Sequence, residues 1–274
     1  MINFYKYHGA GNDFIMINNL KGDIRLSPEY ISSICDRHFG IGADGLILLE
    51  SSDKADLSRS SLKTEADCFM NYYNSDGTIA QMCGNGSRCT AKFFLEQTNS
   101  NLSEIKLDTR AGIKNIKINN DDTYSVDMGT PFFEHPDFPS NPINLEGFYF
   151  RCVSMGNPHA VTEVEDLSKI NIKEIGPRVE TDSHFPNKIN VEFVQKINDE
   201  YYKVLVWERG CGVTLACGTG ACAVYSVLHD ARQGLAQKEI TLEFPGGKLF
   251  LSKNEQDHVI LRGEAHFVFK GEII

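Results

Sequence analysis

Short runs of β-branched, aliphatic and aromatic residues recur along the chain, each bounded by Gly, Asn, Asp or Pro. They are Phe14 to Ile17, Gly45 to Leu49, Glu104 to Leu107, Ile113 to Ile118, Tyr124 to Met128, Tyr149 to Ser154, Val191 to Gln195, Tyr201 to Trp207, Glu239 to Phe244, Lys248 to Leu251 and Val259 to Leu261. Runs of this kind predict strands. Helical periodicity is confined to Pro28 to Arg37, with Ser27 as N-cap, Ser87 to Glu96, a short piece near Ile170 to Val179, and Ala221 to Gly234. Strands so outnumber helices that an α+β arrangement is favoured over alternating βαβ units. The most polar stretch, Ser51 to Glu65, reads as a hairpin tip or solvated surface loop.

The pattern also repeats on a larger scale. Tyr73-Asn74-Ser75 precedes Cys83-Gly84-Asn85-Gly86 by the same offset at which Trp207-Glu208-Arg209 precedes Cys217-Gly218-Thr219-Gly220, and the two motifs lie about half a chain apart. A second echo pairs Gly11-Asn12 with Gly156-Asn157. Two pseudo-symmetric lobes with a site in the cleft between them are the economical reading. The lobes are expected to comprise residues 1–118, completed by 265–274, and residues 119–264.

Each Cys-Gly-x-Gly motif runs directly into a helical segment. The first N–H groups of a helix lack internal partners and the dipole is positive there, so an anion is stabilised and a cysteine pKa is drawn toward neutrality. Glycine lets the backbone approach a ligand without a Cβ in the way. Two such turns would offer two thiols and two sets of N–H donors to one small carboxylate. That is the equipment for moving a proton from one face of an amino-acid Cα to the other, because the negative charge that develops on the carboxylate needs preorganised donors. Free cysteine is most often a small buried hydrophobe, and Cys35, Cys68, Cys89, Cys152, Cys211 and Cys222 keep that reading. The duplicated setting sets Cys83 and Cys217 apart. A phosphate cradle is disfavoured, since neither a dinucleotide fingerprint nor a Gly-Lys-Ser/Thr follows.

Other candidates gather near the motifs. His159 follows Asn157-Pro158 and reads by default as a loop histidine, with orientation of an active cysteine as the alternative. Arg209 can fork onto a carboxylate, and Glu208 can face an ammonium or poise a cysteine. Asn12, Asn74, Asn157 and Asn190 sit in turn contexts where Asn is common for backbone reasons alone.

Composition removes several classes of function. The chain has 274 residues, enough for one large or two smaller cores, and its 41% hydrophobic and 23% charged content is that of an ordinary globular protein. A net charge of -10 without a basic face argues against nucleic-acid or anionic-lipid partners. No segment has the uninterrupted apolar length of a membrane span, and the N-terminus lacks the pattern of a secretory signal, so a cytoplasmic location is expected. Eight cysteines without a C-x-x-C pair suit neither a disulfide scaffold nor a structural metal.

Taken together, HGAGNDF at 8–14, RHFGIGADGL at 37–46, NSDGTIAQMCGNGSRC at 74–89, MGNPHAV at 155–161 and WERGCGVTLACGTGACA at 207–223 resemble the diaminopimelate epimerase family across nearly the whole chain. The resemblance implies two similar lobes, each a mainly antiparallel sheet curled round a central helix. It implies an isomerase needing neither metal nor pyridoxal phosphate, commonly homodimeric, that interconverts LL- and meso-2,6-diaminopimelate in lysine and peptidoglycan-precursor synthesis. By the same resemblance Cys217 is the base and Cys83 the acid in the LL-to-meso direction. Gly84, Asn85, Gly218 and Thr219 hold the reacting carboxylate. Asn12, Asn74, Asn157, Asn190, Glu208 and Arg209 bind the substrate, and His159 and Glu208 tune the cysteines. Many members carry Gln where this chain has Gly45, so a side-chain contact is in question there. Related two-cysteine racemases act on proline or hydroxyproline, which leaves a different amino-acid substrate as the first alternative. A hydrolase using Cys217 and His159, or a non-catalytic amino-acid-binding protein, is the second.

Overall fold

A computed structural model describes residues 1–52, 65–139, 142–231 and 238–273. The polar stretch at 51–65 and the end of the helical segment expected to reach Gly234 therefore lie largely outside the described residues. The chain divides into two compact units, Met1–Val126 with Gly263–Ile274, and Asp127–Arg262.

In chain order the first unit holds β1 (Ile2–Gly9), β2 (Asn12–Asn19), α1 (Pro28–Cys35), β3 (Gly45–Glu50), β4 (Cys68–Asn74), α2 (Gly84–Thr98), β5 (Glu104–Asp108), β6 (Lys114–Ile118) and β7 (Thr123–Asp127). The second holds β8 (Ile143–Leu145), β9 (Phe148–Ser154), β10 (Pro158–Val164), α3 (Ile172–Glu180), β11 (Asn190–Lys196), β12 (Tyr201–Glu208), β13 (Gly212–Val213), α4 (Gly218–Ala231), β14 (Ile240–Phe244), β15 (Gly247–Lys253) and most of β16 (Val259–Glu264). The last strand, β17 (His266–Ile273), belongs to the first unit and pairs antiparallel with β1.

Each unit repeats one topology. In the first, β1 and β2 are antiparallel, β2 and β3 parallel, β3 and β4 antiparallel, β4 and β5 parallel, then β5, β6 and β7 antiparallel. In the second, β9 to β12 and then β14 to β16 run through the same order of senses. The mainly antiparallel α+β character and the duplication expected from sequence are both present. The first unit runs on to Val126 rather than ending at 118 because β7 completes an antiparallel ladder with β6.

In each unit the helix after the cysteine motif is the central one. From Gly84 to Phe94 α2 is buried at every position but Lys92, and from Gly220 to Leu228 α4 is buried throughout, the mark of a helix surrounded by its own domain. α2 packs on β1 to β6 and α4 on β9, β10, β11 and β15. Phe93 is fully buried and carries about 1.5–3 kcal/mol of the first core. α1 lies in a second cluster of that unit, where Ile31 and Ile34 meet Ile15, Ile17, Leu46 and Leu48. Its start follows the sequence, since Ser27 caps the N–H of Tyr30 at 3.2 Å and Pro28 occupies the first turn. α3 packs in the corresponding cluster of the second unit, with Ile172 and Val179 against Phe150, Val191 and Phe193.

Candidate active site

Both central helices begin three residues earlier than their apolar periodicity suggests, at Gly84 and Gly218, so the glycine motifs form the first helical turns. Cys83 is the N-cap of α2, with extended backbone, and its Sγ accepts the N–H of Gly86 at 3.4 Å. The Cys217 Sγ accepts the N–H of Gly220 at 3.3 Å. A sulfur thus stands where a Ser or Asp oxygen commonly caps a helix, facing an N–H that has no intrahelical partner.

Around Cys83 the first unit arranges amides. The thiol donates to Asn12 Oδ1 at 3.4 Å, and Asn85 Nδ2 donates to the same oxygen at 3.3 Å. Gly84 and Asn85 are buried in the first turn, whereas Cys83 itself is half-buried. Asn74, at the end of β4, is bonded through Nδ2 to Thr78 Oγ1 at 3.0 Å and so fixes the turn that precedes the motif. Gly45 pairs with Asn74 across β3 and β4, and no side chain fits there: a Cβ would come within 2.6 Å of the Tyr72 ring and 2.5 Å of the Tyr73 carbonyl. Tyr72 fills the space that a longer residue would need.

Around Cys217 the second unit arranges carboxylates. His159 is completely buried in β10, not in a loop, with Nδ1 at 2.7 Å from Glu192 Oε1 and Nε2 at 3.2 Å from Asn157 Oδ1. Asn157 Nδ2 donates to Thr219 Oγ1 at 3.3 Å, and Thr219 Oγ1 lies 3.4 Å from the Cys217 Sγ. Glu208 accepts a hydrogen bond from Thr214 and stands near enough to the Cys217 thiol to act on it electrostatically. Asn190 clamps the backbone, donating to the Pro158 carbonyl at 2.8 Å and accepting the Arg209 N–H at 2.9 Å. The Arg209 guanidinium donates to the Asn187 carbonyl at 3.0 Å.

The electrostatics of Cys217 depart from the expectation for a helix N-terminus. Burial pushes its thiol well above the ordinary cysteine range, Glu208 and Glu192 push it further, and the contacts with Thr219 and the Gly220 N–H pull only partly back. Desolvation by burial and two nearby acids outweigh the dipole. Glu208 is raised too, first by burial. Cys217 therefore rests as a thiol next to a carboxyl group able to share its proton.

Glu192 was not among the sequence candidates. It is fully buried, its Oε2 has no hydrogen-bond partner, and its Oε1 lies 2.6 Å from where a Cβ on Gly220 would stand. The glycine that closes the second motif is thus dictated by an acid from a neighbouring strand. The signal in the sequence is an acid set between Val191 and Phe193 in an otherwise apolar run.

The two α+β units with their repeated topology define the class of fold, an epimerase-like one. Solved structures that share the fold include a hydroxyproline epimerase from Agrobacterium vitis with bound trans-4-hydroxy-L-proline, 15% identical over 98% of this chain and 91% of that one with a TM-score of 0.68. A phenazine biosynthesis PhzF-family protein from Bacillus anthracis is 17% identical, also at TM-score 0.68, covering 100% of this chain and 99% of that one. The family model described as diaminopimelate epimerase matches residues 4–134 and 151–268. The diaminopimelate epimerases of Carboxydothermus hydrogenoformans and Gloeothece citriformis are each 41% identical to this chain, over 98% of it and 98% of their own length. The chain belongs to the diaminopimelate epimerase family, a family of isomerases.

Proposed function

We propose that the chain interconverts LL- and meso-2,6-diaminopimelate by 1,1-proton transfer at Cα, with Cys83 and Cys217 as the two acid/base groups. The observation that carries this reading is the duplicated cap, a cysteine sulfur accepting the N–H three residues on at 3.4 Å in one unit and 3.3 Å in the other. In the LL-to-meso direction Cys217 removes the α-proton. Glu208 shares the resting proton of Cys217, and Thr219 Oγ1 and the Gly220 N–H stabilise the thiolate that forms. The negative charge that develops on the substrate carboxylate is met by the N–H groups of the first helical turns, at Gly84 and Asn85 and at Gly218 and Thr219. Cys83 then delivers the proton of its thiol to the opposite face, and the roles exchange in reverse. Asn12, Asn74, Asn157, Asn190, Glu208 and Arg209 bind the substrate, with His159 and Glu208 as tuning groups. Lysine and peptidoglycan-precursor synthesis in the cytoplasm is the corresponding setting, without metal or pyridoxal phosphate. A homodimer is supported by β17, where Phe267, Val268 and Phe269 are exposed in succession at 46%, 51% and 44%.

The test is proton NMR of the reduced protein with LL-diaminopimelate in deuterium oxide. The α-proton signal should disappear as the meso isomer forms, and neither Cys83→Ala nor Cys217→Ala should support isomerisation. Absence of exchange from folded, reduced protein would remove diaminopimelate as the substrate and point to another α-amino acid.

A further inference from the structure

The proton on Cys83 depends on which atom of the Asn12 amide faces it, and that choice is made at the far end of the amide. Asn12 Nδ2 donates to Asp44 Oδ2 at 2.8 Å. An ionised carboxylate only accepts, so the Asn12 NH2 must face Asp44 and its carbonyl oxygen must face Cys83. Asp44 is held in turn by Arg37, whose Nη2 reaches Asp44 Oδ1 at 2.7 Å and Asp13 Oδ1 at 2.7 Å. Lys6 completes the cluster at 2.7 Å from Asp13.

The second amide is clamped in the matching sense. Arg88 is fully buried, its guanidinium donates to Asn85 Oδ1 at 2.8 Å, and it passes so close to Gly9 that a Cβ there would lie 3.0 Å from Nη2. A guanidinium only donates, so Asn85 must turn its NH2 toward Asn12. Two ionic groups of opposite sign therefore hold two amides so that one carbonyl oxygen collects the Asn85 N–H and the Cys83 S–H. A thiol can donate to that oxygen and a thiolate cannot.

We propose that Asp44 is a positioning residue that acts through Asn12 to keep Cys83 in its proton-bearing form in the free protein, with Arg88 clamping the partner amide. This deepens the reading of Cys83 as the acid and rests on it for its meaning. The measurement, however, is made without substrate or turnover.

The experiment is the pH profile of Cys83 alkylation by iodoacetamide in the full-length protein, read by mass spectrometry of the Cys83 peptide. Cys211, which is exposed, reports reagent activity, and protection of the buried Cys152 reports folding. Asp44→Ala removes one of the two groups that hold the Asn12 oxygen toward the sulfur, the other being the Asn85 N–H, and so weakens the restraint on the amide. Alkylation of Cys83 below the midpoint of its profile should rise about fivefold, the factor one hydrogen bond supports. In an Asn12→Ala background, adding Asp44→Ala should change the rate less than about twofold, because the path runs through the amide. An unchanged profile in Asp44→Ala would overturn the proposal. So would a shift of the same size with Asn12 absent, which would make Asp44 a through-space charge. Loss of epimerase activity in either variant bears on neither outcome, whereas failure of the deuterium-exchange test above leaves the alkylation result standing.

Discussion

Gly86 and Gly220 occupy the same place in the two cysteine motifs, yet replacing each with alanine should give different results. At Gly86 the nearest atoms to an added Cβ are the terminal methyl of Ile47 at 3.1 Å and the Cβ of Cys83 at 3.4 Å. A methyl at the end of a side chain yields by a few tenths of an ångström, and alanine gains up to about 0.5–1 kcal/mol over glycine in a helix. Gly86→Ala should therefore stay within about 0.5 kcal/mol of wild type. At Gly220 the Cβ meets Glu192 Oε1 at 2.6 Å, with Cys217 Cβ at 3.1 Å and Sγ at 3.3 Å behind it. That oxygen is the one bonded to His159 at 2.7 Å, and neither residue has solvent to move into.

Losing a charge-assisted hydrogen bond costs about 1.5–3 kcal/mol, and the helix gain offsets only part of it. Gly220→Ala should then be destabilised by about 1–2 kcal/mol. Displacing Cys217 as well, at a centre where an ångström matters, should lower turnover about 100-fold. Guanidinium denaturation gives the first quantity and α-proton exchange in deuterium oxide the second, with Gly86→Ala expected to retain turnover within several-fold. Equal losses in the two variants, or a wild-type Gly220→Ala, would refute the claim that Glu192 dictates the second glycine.

Glu180 accepts the Trp207 Nε1–H at 2.6 Å and the Gly210 N–H at 3.0 Å. Burial alone would raise its carboxyl, but these donors and Lys188 outweigh it and hold the folded pKa below the ordinary value of 4.5. The ionised form is thus favoured by folding, so its contribution is present above that value and lost as pH falls through the folded pKa. Glu180→Gln should cost about 1 kcal/mol at neutral pH, and denaturant midpoints of the two proteins should converge in acid; a gap that persists there would assign the loss to packing. Light scattering should find the proposed homodimer in the wild type and a monomer in Val268→Lys; a monomeric wild type would refute the dimer, and a dimer that survives the substitution would locate its contact outside β17.

Much of the fold was legible because strands announce themselves locally. Every strand read from the apolar runs overlaps an observed one. Of the six overlooked, three have polar or irregular interiors: β1 carries Lys6 and His8 among its aromatics, β4 holds Asn71 within an apolar run, and β10 opens on Pro158 and His159. Lys6, Asn71 and His159 are all buried, so tertiary partners override the local pattern. The two cysteines and their glycines stand out in the sequence because the motif is written twice, whereas the Asn residues and Glu208 take their proposed roles from the family resemblance. Glu192, Arg88 and Asp44 were not legible, although Arg88 and Asp44 lie inside quoted motifs, because each acts by reaching a neighbour whose proximity only the folded sheet creates.

This division explains how a repeated device can do two different jobs. Duplication supplies the backbone part twice: a strand, a turn, a capping sulfur and a helix with open N–H groups. It also predicts identical cysteines, and a symmetric pair has no resting preference for which sulfur holds the proton. The preference has to come from partners outside the motif. At Cys83 they are amides whose orientation is set by Asp44 and Arg88, and a carbonyl oxygen is turned to the thiol. At Cys217 they are Glu208 and Glu192, which raise the thiol electrostatically while leaving Glu208 in place to receive its proton. One site therefore favours S–H by hydrogen-bond direction and the other by charge and burial. At the second, Glu208 stands close enough to act on the thiol, which supports the proposed role of Cys217 as the base in one direction, with Cys83 as the acid.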